Sequence, residues 1–193
     1  MDKNELINQY GIYTFDKRKM KERLPSQTYL NYINHLDKNE KLSNEDIKII
    51  AEEMKKWALE LGATHYTHWF SSLNGMCAEK HIAFLEPNGI EIDYKFNEKA
   101  LLKGESDASS FPNGGLRSPY KARRYTLWDS SSISFVKDGT LYIPSLFYSY
   151  TGESLDYKSH LIKSNEILND KIIELYKLFD IKINKVDSCV GVE

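Results

Sequence analysis

Between Ser43 and Gly62 the chain carries its strongest local constraint. Ile47, Ile50, Met54, Trp57, Ala58 and Leu61 recur at helical spacing and form one apolar stripe, with Glu52, Glu53, Lys55, Lys56 and Glu60 off it. Ser43, followed three residues later by Asp46, makes a capping box: the hydroxyl accepts from a free backbone amide of the first turn while the carboxylate reaches back. Gly62 supplies the stop, because a residue without a side chain adopts the left-handed conformation that ends a helix at little cost. Met54 and Trp57 read as packing groups on that stripe rather than as a cofactor box.

The texture then changes. His65 to Phe70 is β-branched and aromatic and reads as a strand, Asn74-Gly75 as a hairpin turn, and Met76 to Leu85 as the returning strand. Pro87-Asn88-Gly89 makes another turn, after which Ile90, Ile92, Tyr94 and Phe96 alternate with polar residues as in a half-buried strand. Ala122 to Trp128 is predicted to be extended. Ser134-Phe135-Val136 and Thr140 to Pro144 flank Lys137-Asp138-Gly139, a further hairpin signal, and Leu146 to Tyr150 extends the second of those strands. A helix followed by hairpins implies an α+β domain around an antiparallel or mixed sheet.

Upstream, Lys17 to Arg23 is a charged run that reads as a solvated face or mobile segment, and Pro25-Ser26 opens a helix carrying Tyr29, Ile33 and Leu36. Downstream, Thr151-Gly152-Glu153 marks a break. A long helix capped by Ser159 follows, with Leu161, Leu168, Ile172, Leu175 and Phe179 on its expected buried face. Val186 to Val192 reads as a short strand. A strand there, with nothing after it to cover its edge, leads us to expect that the chain is part of something longer. The expected division is a helical segment over 1–62, a sheet domain over 63–154 and the start of another domain over 155–193.

Composition excludes several function classes. With 26 basic and 28 acidic residues the formal net charge is −2, so no basic excess points to nucleic acid and no polybasic run to a membrane surface. No apolar run approaches the ~20 residues of a membrane span and the N-terminus lacks a signal-peptide core, so a cytoplasmic protein is expected. The cysteines, Cys77 and Cys189, are far apart in sequence and read as free thiols in a reducing compartment.

One stretch stands out for chemistry. Gly104 to Arg117 (Gly-Glu-Ser-Asp-Ala-Ser-Ser-Phe-Pro-Asn-Gly-Gly-Leu-Arg) is a long loop by composition. It carries the carboxylate of Asp107, the hydroxyls of Ser109 and Ser110, a Gly-Gly pair and Arg117, a plausible wall for a polar or anionic ligand. On residue types alone a solvated surface loop is the commoner reading of such a stretch. His65, His68 and His81, near Cys77 and Glu79, invite a metal reading, but strand residues three apart point to opposite faces, so sheet histidines fit better. No phosphate-binding glycine motif is present, and neither cysteine has a histidine partner that would mark a nucleophile.

The ordered set His65-Tyr66-Thr67-His68-Trp69-Phe70, Ala78-Glu79-Lys80-His81, Gly104 through Arg117, Lys137 through Leu141, Ile143-Pro144 and Ser149 through Glu153 closely resembles the N-terminal region of type III glutamine synthetases. The resemblance runs from about residue 10 to 193. It implies a β-grasp-like domain over 63–154, then the long helix and first strand of a catalytic α/β domain that the chain holds only in part. It implies a glutamate–ammonia ligase working through γ-glutamyl phosphate, with ATP and Mg²⁺ or Mn²⁺ bound mainly by the catalytic domain. It also implies a homo-oligomeric ring whose active sites lie between neighbouring subunits. Asp107-Ala108-Ser109-Ser110 looks like the family's Asp-Gly-Ser-Ser loop, which assigns ammonium binding and deprotonation to Asp107 and loop support to Ser109 and Ser110. Gly191-Val192-Glu193 is similar to the family's Gly-Pro-Glu and makes Glu193 a candidate metal ligand, with Val192 a departure from the pattern. Ile82 is another, standing where an aspartate is expected. The chain alone is expected to be inactive. A reading from a different class is a non-catalytic module that associates with synthetase rings.

Overall fold

The computed structural model describes residues 10–38, 40–71, 77–105, 124–186, 188–189 and 191. Strand β1 (Thr14–Phe15) leads into three helices, α1 (Lys17–Arg23), α2 (Ser26–Lys38) and α3 (Asn44–Glu60). The charged run is therefore ordered helix. Asp16 caps it, accepting from the Lys19 amide at 2.8 Å, and Met20 is its buried anchor. In α3 the expected cap is present: Ser43 Oγ accepts from the Asp46 amide at 3.0 Å and donates to its carboxylate at 2.6 Å. Gly62 closes the helix with a φ of 80°.

Strands β2 (His65–Ser71), β3 (Cys77–Ala78), β4 (Ile82–Ala83), β7 (Lys103–Glu105), β8 (Arg124–Trp128), β9 (Ser134–Lys137) and β10 (Thr140–Ser149) join β1 in one eight-stranded sheet. The fold is α+β, with helices packed on a mixed sheet. The β9–β10 hairpin turns through Asp138 and Gly139, both with positive φ (49° and 71°), the two-residue turn whose twist suits antiparallel strands.

Strand β10 organises the sheet. Its first half pairs parallel with β2, Thr140↔His65 through Pro144↔Trp69, while Thr140 to Tyr142 also pair antiparallel with β9. Its second half pairs antiparallel with β8, Ser145↔Trp128 through Ser149↔Arg124. Pro144, which has no amide hydrogen to donate, sits where the partners change. The stripe of α3 packs with Tyr66, Phe84, Phe96, Leu101, Val136, Leu141 and Ile143 into the main core. Phe70, Ala78 and Phe147 form a second, smaller cluster.

Several details differ from the sequence reading. Between residues 77 and 85 the returning strand is two short pieces, β3 and β4, both paired to β2. Strands β5 (Leu85–Asn88) and β6 (Glu91–Tyr94) form their own two-stranded sheet, with Ile90, Ile92 and Tyr94 exposed and only Phe96, beyond it, buried. After β6 comes the short helix α4 (Glu98–Leu102), and after β10 the long α5 (Tyr157–Lys177). Asp156, not Ser159, is the α5 cap, accepting from the Ser159 amide at 2.6 Å. Leu161, Leu168, Leu175 and Phe179 are exposed rather than buried. The described residues among 181–191 form no strand. Among the described residues no helix is long and apolar enough to cross a membrane.

Candidate functional site

The stretch singled out as a loop is held at both ends by one antiparallel pair. Lys103↔Leu127, Gly104↔Thr126 and Glu105↔Tyr125 set β7 against β8, so residues 106–123 leave and return at adjacent points of the sheet. Asp107, Ser109, Ser110 and Arg117 lie outside the described residues, as does Glu193. What the structure describes is the frame that delivers the loop.

That frame rests on His68. Its side chain shares a sheet face with Tyr66 and Phe70 on β2, between the two apolar clusters. Nε2 lies 2.7 Å from the Ala100 carbonyl of α4, and Nδ1 lies 2.7 Å from Ser145 Oγ of β10. Because a carbonyl only accepts, Nε2 carries the hydrogen and Nδ1 accepts from the serine. Burial disfavours the imidazolium and lowers the His68 pKa, against a smaller raising effect of the Ala100 carbonyl. A neutral ring thus ties α4, at Ala100, to the central strand three residues before β7 begins.

Gly104 lies flat against that ring. A Cβ at Gly104 would sit 2.5 Å from His68 Cδ2 and 2.7 Å from Thr126 Oγ1, so only glycine lets β7 approach. The other face of the stem is a rail of cation and rings: Lys103 Nζ lies 4.5 Å from the Tyr125 centroid, and Tyr125 stacks on Tyr148 at 5.9 Å. On β8, the Arg124 guanidinium lies 5.8 Å from the Phe147 ring.

Beyond β8, Asp129 is buried and accepts from the Ser131 amide at 3.0 Å, from Ser131 Oγ at 2.6 Å, and from Lys158 of α5. Burial alone would raise its pKa; the Lys158 and serine hydrogen bonds outweigh that and hold it below the usual value. Asp156 closes the same corner, accepting from the Phe147 amide at 2.6 Å. The stem and α5 therefore share one strand as their anchor.

The three histidines go separate ways. His65 is exposed and pairs with Thr64, His68 is buried as described, and His81 lies 3.5 Å from Glu79. Among the described residues no group of three or more histidine, cysteine or acidic side chains is placed to hold a metal ion.

The sequence profile described as "Glutamine synthetase type III N terminal" matches residues 6–164, a span that contains the whole frame. The chain belongs to this family. It is the N-terminal region of a type III glutamine synthetase. It is 45% identical over 192 residues to a glutamine synthetase of Bacteroides fragilis (strain YCH46), covering 98% of this chain and 26% of that protein. It is 41% identical over 197 residues to a type-3 glutamine synthetase of Dictyostelium discoideum, covering 98% of this chain and 27% of the relative. A glutamine synthetase of Butyrivibrio fibrisolvens is 26% identical over 198 residues, of which the chain spans 28%. The chain thus spans about a quarter of the length of these relatives.

The residues that build the stem were not singled out from the sequence as a unit. Ala100, Gly104 and Ser145 lie more than thirty residues from His68 in sequence and meet it only in the folded chain. The one local signal was Gly104 itself, the first residue of the loop stretch.

Proposed function

We propose that this chain is the N-terminal portion of an ATP-dependent glutamate–ammonia ligase and contributes the Asp107 loop to an active site shared between subunits. The observation that carries the reading is the closed β7–β8 stem, packed on His68, in a chain that belongs to the type III N-terminal family. A stem fixed on a core histidine presents its loop from a rigid scaffold, the usual way in which a loop carries reactive groups.

In this reading Asp107 attracts ammonium by charge and accepts its proton, because ammonium has no lone pair with which to attack until it is deprotonated. The freed ammonia then attacks the activated γ-carboxyl of glutamate. Ser109 and Ser110 hold the loop. Residues 63–154 form the β-grasp-like domain, and 155–193 begin the catalytic α/β domain, where Glu193 is a ligand of Mg²⁺ or Mn²⁺ and most of the ATP site lies. Ring neighbours of the same chain supply the opposite wall, in the cytoplasm. The chain by itself makes no glutamine. Helix α5 supports the division: Leu161 (57%), Leu168 (44%), Leu175 (50%) and Phe179 (68%) are exposed, an apolar face suited to cover by further protein.

The test is Asp107→Asn in the protein of full length. The KM for ammonium rises and kcat falls, while the KM values for glutamate and ATP hold. Unchanged ammonia-dependent synthesis removes the role from Asp107. The same exposed face of α5 also favours a second reading, a non-catalytic module that joins synthetase rings. Co-expression with a tagged intact synthetase separates the two: capture in the rings without any effect of Asp107→Asn on synthesis supports the module.

A further inference from the structure

The ribbon of β5 and β6 stands apart from the main sheet. Phe84 and Phe96, each 1% exposed, root it in the core, and the Lys95 amide donates to the Phe84 carbonyl at 2.8 Å. Leu85↔Tyr94, Glu86↔Asp93, Pro87↔Ile92 and Asn88↔Glu91 then pair up to a two-residue turn at Gly89-Ile90. Strand alternation sorts the side chains. One face carries Leu85, Pro87, Ile92 and Tyr94, and the other Glu86, Asn88, Glu91 and Asp93. The apolar face is open: Leu85 is 51% exposed, Ile92 67% and Tyr94 54%. A two-stranded ribbon is marginal by itself in water, and a third strand is what brings such a ribbon to independent stability.

The two edges of the ribbon differ. Residues that flank a two-residue turn exchange backbone hydrogen bonds, and along an antiparallel pair such positions alternate with others whose amides and carbonyls point outward. The bond between Lys95 and Phe84 keeps the same alternation, so the outward pairs are Pro87↔Ile92 and Leu85↔Tyr94. On β5 the proline has no amide hydrogen to offer, which blunts that edge. On β6 the amides and carbonyls of Ile92 and Tyr94 face out, and no described strand pairs with that side. The charge left over beside this edge is negative. Lys95 matches Glu86 at 3.0 Å, whereas Glu91 and Asp93 make no ion pair among the described residues, and Asp93 only accepts from the Asn88 amide group at 2.6 Å. At the base of the ribbon Lys55 of α3 reaches the Tyr94 ring at 5.1 Å, but Glu52 matches it at 2.8 Å.

We propose that the β6 edge accepts an extended segment of a partner protein in which apolar residues alternate with lysine or arginine. The segment adds the third strand. Its backbone bonds to Ile92 and Tyr94, its cations lie beside Glu91 and Asp93 on one face, and its apolar side chains extend the Ile92 and Tyr94 face on the other. The acids decide against a second copy of this chain as the occupant. In a symmetrical antiparallel pairing centred on Ile92, Glu91 meets Asp93 of the copy, and in one centred on Asp93 that carboxylate meets itself; like charges directly opposite each other are destabilising. The inference rests neither on the role given to Asp107 nor on the division at residue 155.

Titration of the 193-residue chain with a short capped peptide that alternates lysine and valine, followed through backbone amide resonances and hydrogen exchange, tests it. Saturable shifts confined to β5 and β6 are expected, with slower exchange at the Ile92 and Tyr94 amides. A peptide alternating glutamate and valine binds about tenfold or more weakly. Glu91→Lys with Asp93→Lys, both at exposed positions, reverses that preference while the amide spectrum shows the ribbon intact. No saturation up to about 10 mM, or unchanged exchange at Ile92 when the peptide is bound, overturns the strand site. Equal binding of a peptide that holds the same lysines and valines in two separate blocks overturns it too, since plain charge attraction then suffices. Self-association of the chain that protects the Ile92 amide without any peptide overturns the assignment to a partner.

Discussion

Gly104 and His68 touch so closely that a single added methyl would lie 2.5 Å from the imidazole. The contact joins the strand that enters the loop to the one buried histidine of the sheet. It follows that Gly104→Ala forces either the ring or β7 to move. His68 is fixed by hydrogen bonds on both nitrogens, so the ring does not yield cheaply. Overpacking of this kind costs about 1–3 kcal/mol. Urea unfolding of the variant is expected to show a lower midpoint with an unchanged slope.

His68 also makes stability depend on pH. Its folded pKa lies below the unfolded 6.5, because burial opposes the charge. Between those two values the unfolded chain binds more protons than the folded one, so stability falls as pH drops below about 6.5 and levels off only below the folded pKa. Above 6.5 the group contributes no slope. The urea midpoint of the natural chain should therefore decline from pH 7.5 to 5.5, and that of His68→Gln should stay nearly flat over the same range. Equal slopes in the two proteins would remove His68 from the account.

Asp129 and Lys158 hold α5 to the end of β8. Asp129→Asn removes a buried charge that accepts from Lys158 and Ser131 and leaves the amine without its carboxylate. Loss of about 1–3 kcal/mol is expected. The depressed pKa of Asp129 gives the same pH sense as the lowered histidine, in a more acidic window: its stabilisation is full above the unfolded value of 3.8 and is lost as pH falls through the folded value. Acid unfolding followed by circular dichroism should start at higher pH in the variant.

Much of the frame was legible because its signals are local. Helix α3 announces itself by Ser43, the stripe and Gly62, and the β9–β10 turn by Asp138-Gly139. What was not legible is set by long-range pairing. Nothing within β2 or β10 says that they run parallel, since that register depends on a crossover of more than sixty residues between Ser71 and Thr140. The same holds for His68, whose partners lie on α4 and β10. Helix α5 shows the converse limit. Its stripe was real, but amphipathicity states only that a face wants cover, not that the cover lies within this chain. Its cap was misplaced by three residues because Asp156 and Ser159 share one hydrogen-bonded turn, and either residue type signals a helix start.

The exposed face of α5 leads to the last prediction. Leu168 and Leu175 are seven residues apart, two helical turns, and both stand in solvent. Replacing both with aspartate removes no packing in the 193-residue chain, so its unfolding midpoint should move by no more than about 0.5 kcal/mol equivalent, as for other surface changes. If residues 155–193 begin a catalytic domain, the same pair is buried in the protein of full length, and two carboxylates placed there are expected to cost several kcal/mol. Thermal unfolding of both proteins, with and without the substitutions, separates the cases. A large drop confined to the long protein places the helix face inside the domain boundary; equal, small shifts in both place it on the outer surface and remove the proposed division at residue 155.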